Sequence, residues 1–138
     1  MVTIISIATG STEMTIKRFK EIFESLTEKK NAVYARIRHS NYFLLDYNAH
    51  PLEYPLVIYT LDGYAFCLAD VTAGYPGTGP HGMVEVLKYF DFSFNENDIL
   101  SRQSNVCMNI SKGGISIREE FKRFKLDSIF YLNSPFKR

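Results

Sequence analysis

The sequence predicts a single α+β domain over residues 1–138, with a mainly antiparallel sheet packed by a long N-terminal helix and one or two shorter helices. Three observations predict it. Apolar residues recur at helical spacing from Met14 to Leu26, residues 32–71 break into short β-branched and aromatic runs, and Asp62-Gly63, Gly74–Gly82 and Gly113-Gly114 punctuate the chain. A chain of 138 residues can bury roughly two thirds of the surface its unfolded form exposes, so it needs no disulfide or metal staple. No repeat, low-complexity tract or linker divides it.

The opening run Met1-Val2-Thr3-Ile4-Ile5-Ser6-Ile7-Ala8 reads as a buried strand over 2–8, being too short for a membrane span and lacking the basic start of a secretory signal. Ser11 or Thr12 with Glu13 supplies an N-cap and a first-turn acid for the helix that follows. Met14, Ile16, Phe19, Ile22, Phe23 and Leu26 form its apolar stripe, which extends to about Lys30 and leaves Lys17, Arg18, Lys20, Glu24 and Lys29 in water.

Strands are expected at 32–38, 42–47, 56–61 and 64–71, the last two joined antiparallel by a type I′ turn centred on Asp62-Gly63. Pro51 and Pro55 bracket a bent approach to the third of these. Past the glycine-rich stretch, Met83, Val86, Leu87 and Phe90 share one side of a short helix at 82–90. Residues 95–102 read as a turn or brief helix and 105–110 as a strand. Ser116-Ile117-Arg118-Glu119 has the form of a capping box opening a helix through about Lys125, although Ile115, Ile117 and Glu119 also alternate as a strand over 115–121 would. A final strand is expected at 127–133.

Lysine plus arginine number 16 against 15 acidic residues, so the net field exerts no general pull on nucleic acid or an anionic membrane. The basic residues Arg118, Lys122, Arg123, Lys125, Lys137 and Arg138 are interrupted by Glu119, Glu120 and Asp127, which suits a solvated face better than a phosphate-tracking groove. Cys67 and Cys107 both sit in apolar runs and read as reduced core thiols, which points to a cytoplasmic protein, in a virus-infected host cell if virus-encoded. His39, His50 and His81 have no metal-ligand spacing, and no cofactor motif is present. The 11 Phe and 9 Tyr exceed what one small core readily hides, so some are expected in a pocket or a homo-oligomer contact.

Function is expected at Gly74-Tyr75-Pro76-Gly77-Thr78-Gly79-Pro80-His81-Gly82. Four glycines and two prolines within these nine residues fix an unusual backbone path, since glycine reaches φ > 0 freely and proline locks φ. A loop that feeds into a helix N-terminus collects unpaired N–H donors and the positive end of the helix dipole, an environment that favours phosphate. Gly77 to Gly82 formally matches G-x-G-x-x-G, but the strand before it belongs to a hairpin and Pro80 removes an amide, so the dinucleotide fingerprint is rejected. A phosphate-binding P-loop fails because Pro80 stands where lysine is required.

The expected activity is capture of a phosphate-bearing small ligand, a nucleotide or nucleotide-derived signal, by a sequestering protein without turnover. Gly77, Thr78, Gly79 and His81 supply the anion site and Tyr75 a stacking surface. Tyr34, Arg36 and Arg38 alternate along one strand face, and Arg36 or Arg38 adds a guanidinium for charge-assisted phosphate contacts. A second reading is a protein-interaction or inhibitor module with an exposed aromatic surface. A third is a phosphoester-acting enzyme with His81 as acid or base beside Asp70 and Thr78; no nucleophile elbow accompanies them.

Overall fold

The computed structural model describes residues 3–38, 54–74, 76–101, 107–112 and 131–132. Strand β1 (Thr3–Ile7) leads into helix α1 (Thr12–Leu26), followed by a short 3-10 turn at Lys29–Asn31 and strand β2 (Ala32–Arg38). Strands β3 (Leu56–Thr60) and β4 (Tyr64–Leu68) precede helices α2 (Thr78–Tyr89) and α3 (Glu96–Leu100), then β5 (Cys107–Ser111) and β6 (Tyr131–Leu132). The strand expected at 42–47 and the helix or strand expected within 115–125 lie outside the described residues, as does most of the strand expected at 127–133.

The strands form one sheet in the order β5-β2-β3-β4-β1-β6. Three pairings, β5 with β2, β2 with β3 and β3 with β4, are antiparallel. Strand β1 runs parallel to both its neighbours, with Ile5 opposite Phe66 in β4. The fold is α+β as expected, and the sheet is mixed rather than purely antiparallel.

Helix α1 begins where the cap predicts. Ser11 has extended backbone angles and its hydroxyl accepts from the Met14 amide at 3.3 Å. The helix ends at Leu26, before Lys30, because Thr27 has already turned to extended backbone and the chain tightens into the 3-10 turn. At the hairpin, the Gly63 N–H reaches the Thr60 carbonyl at 3.2 Å and Gly63 alone is left-handed, at φ 94°. A type I′ turn needs positive φ at both central residues, which Asp62 lacks. The register therefore takes an extra residue, and β4 starts at Tyr64.

Both faces of the sheet are buried. On one, Ile16, Phe19 and Phe23 of α1 and Met83, Val86 and Leu87 of α2 pack over Ile5, Ile7, Ile58, Phe66 and Leu68. Phe19, Phe23, Phe66 and Phe90 form a cluster of edge-to-face and tilted pairs with centroids 4.8–5.8 Å apart, each fully buried ring contributing about 1.5–3 kcal/mol by area. On the other face Ile4, Val33, Tyr34, Tyr54, Val57, Tyr59 and Cys67 are buried together, and the Tyr54 and Ser6 hydroxyls are hydrogen-bonded. Burial on two sides explains why Ile4-Ile5 and Leu56-Val57-Ile58 run apolar without alternation. It also takes up the described aromatic residues: among the described residues the exposed large apolar side chains are Met14 and Leu61, with no aromatic beside them.

Candidate functional site

Strands β1 and β4 are adjacent and parallel, so their C-terminal ends lie side by side, and each hands the chain to a helix on the same face. The N-termini of α1 and α2 are thereby brought together beyond the C-terminal ends of these two strands. The ends of parallel strands are where open sheets leave a crevice for ligands.

The two helix N-termini are finished differently. At α1 the chain supplies its own anion. Asp70, just past β4, accepts through Oδ2 from the Thr9 amide at 3.0 Å, the Gly10 amide at 3.1 Å and the Thr15 hydroxyl at 2.5 Å. Gly10, at φ 89°, turns two successive N–H groups toward that oxygen. The Thr12 hydroxyl donates to the Asp70 carbonyl at 2.7 Å, and Glu13 adds a first-turn carboxylate.

At α2 no such provision exists among the described residues. Its N-cap is Gly77, with φ 172° and no side-chain hydrogen bond, and its first turn holds no acidic residue. The helix starts at Thr78 and not at residue 82, so Gly79, Pro80, His81 and Gly82 are helical. Proline is tolerated here because first-turn amides have no intrahelical acceptor to lose. His81 closes the first turn, its N–H reaching the Gly77 carbonyl at 3.0 Å. Helix α2 also fails to belong to a parallel βαβ unit, because β4 and β5 run in opposite directions through the three antiparallel pairings.

Between the two helices lies a cleft of about 670 Å³, with Thr12, Glu13 and Ile16 on one wall and Gly77, Thr78, His81, Gly82 and Glu85 on the other. Gly82 is required for the seam: a Cβ there would stand 2.5 Å from the Thr12 methyl and 3.0 Å from Cδ1 of Ile16. Once α2 begins at Thr78, residues 78, 81, 82 and 85 share one face at i, i+3, i+4 and i+7. Glu85 is held by Lys20 across the seam at 3.0 Å.

Of the expected site residues, Gly77, Thr78 and His81 line this cleft, with Thr78 and His81 exposed. Gly79 is buried and is not among the lining residues. Tyr75 lies outside the described residues. Arg36 and Arg38 stand on β2, whose Ala35 and Ile37 point to the helix-covered face; alternation puts both arginines on the opposite face, so the sheet separates them from the cleft. Asp70 is engaged by Thr9, Gly10 and Thr15 and is not among the cleft-lining residues that include Thr78 and His81.

Sequence reasoning missed Thr12 and Glu85 as cleft residues and took Glu13 only as a first-turn acid. The His81–Glu85 spacing was the available signal, hidden by starting α2 four residues late. His39 and His50 lie outside the described residues, and no group of three potential metal ligands occurs among the described ones. No described helix is long and apolar enough to cross a membrane. No family model, no curated protein and no solved structure matches this chain in the comparisons made.

Proposed function

We propose that this protein binds a phosphate-bearing small molecule, a nucleotide or nucleotide-derived signal, in the cleft between α1 and α2, and that it sequesters the ligand without turning it over. The carrying observation is the asymmetry of the two helix N-termini. The α1 end is closed by Asp70, whereas the α2 end is uncapped and opens on a cleft of about 670 Å³, within the range of small-molecule sites. First-turn amides and the helix dipole favour an anion there. Thr78 offers a hydroxyl donor and His81 a ring N–H, or a positive charge when protonated.

Arg36 and Arg38, on the far face of the sheet, have no part in this reading, and the buried Gly79 contributes to it only as a first-turn amide. The interaction-module reading draws less support, since it relies on exposed aromatic surface and the described aromatic side chains are buried or half-buried.

The test is calorimetric titration with phosphate, ribose 5-phosphate and adenosine 5′-monophosphate on the intact chain, alongside Thr78→Ala and His81→Ala. Saturable binding that weakens in both variants, with the ligand recovered unchanged after incubation, is the expected result. Absence of binding at millimolar concentration, or binding indifferent to both substitutions, overturns the proposal.

A further inference from the structure

We draw no further inference here: the strongest candidate, the side-chain cluster on the sheet face opposite the helices where Arg36 of β2 stands across from Asn109 of β5 with its buried amide oxygen, carries nothing because no described residue shows what covers that face.

Discussion

Thr12 and Gly82 interlock across the α1–α2 seam. The Thr12 hydroxyl is tied to the Asp70 carbonyl at 2.7 Å, which fixes its χ1 and directs its methyl group to a point 2.5 Å from where a Gly82 Cβ would stand. One rotamer thus sets the spacing of the two helices and, with it, the mouth of the cleft.

Gly82→Ala should accordingly destabilise the protein by about 1–3 kcal/mol, the usual result of forcing an extra methyl group into a packed contact. The better helix propensity of alanine offsets up to about 1 kcal/mol of that. Thr12→Ser keeps the hydroxyl and deletes the obstructing methyl, so the double variant should recover much of the loss. Urea denaturation of the four chains in a double-mutant cycle gives the coupling. Additivity within about 0.5 kcal/mol would show that the two residues do not share this constraint.

Asp70 closes the α1 end with three acceptor contacts to one oxygen. Asp70→Ala removes the acceptor of the Gly10 amide, leaves the Thr9 amide only its longer 3.3 Å contact with Thr15 Oγ1, and leaves the buried Thr15 hydroxyl only its 2.8 Å contact with Thr9 Oγ1; it should lower stability by about 2–3 kcal/mol. Asp70→Asn keeps an acceptor oxygen and loses only the charge, so its loss should be nearer 1 kcal/mol. The ranking Ala worse than Asn in equilibrium unfolding is the readout; equal losses would mean that charge, not hydrogen bonding, is what the site requires.

Cys67 is a buried free thiol whose pKa is pushed far up by burial. A thiol that cannot ionise does not react. In a Cys107→Ser background, alkylation of Cys67 at pH 8 should proceed only as fast as the native structure opens and should become immediate in denaturant. Rapid modification of the folded protein would contradict the packing of the second sheet face.

Helix α1 was legible because everything that makes it is local: the Ser11 cap, the acid at Glu13 and the repeat from Ile16 to Phe23. Strands β2, β3 and β4 were legible for a similar reason, each ending at a turn residue or a break in apolar character. The partner of β1 was not. Its pairing with β4 joins Ile5 to Phe66, and no feature of Ile4-Ile5-Ser6-Ile7 distinguishes a parallel from an antiparallel neighbour. The start of α2 was misplaced because Gly79-Pro80 reads as a breaker, although first-turn geometry removes the penalty on proline and Gly82 serves helix approach rather than turning. The candidate site inherited both errors. It depends on β1 beside β4 and on Thr78, His81 and Glu85 sharing a helix face, and neither is local information.

Tyr89 supplies a test at alkaline pH. Partial burial, followed by a hydrogen bond to the Glu24 carboxylate and that carboxylate's charge, raises its pKa from 10 to about 12. Between these values the unfolded chain has released the phenol proton and the folded chain retains it, so the unfolded state binds fewer protons and stability falls as pH rises. Tyr89 therefore contributes its full stabilisation below pH 10 and loses it through about pH 12. Tyr89→Phe removes the titrating group, so the stability difference between the two chains should be flat from pH 7 to 9 and shrink steadily above 10. Glu24→Gln should shorten that decline, drawing its upper end down toward the ordinary tyrosine range, by removing the negative charge that holds the proton. Urea unfolding at fixed ionic strength across pH 7 to 11.5 measures both, and a difference that stays constant over the whole span would show that Tyr89 titrates as it does in the unfolded chain.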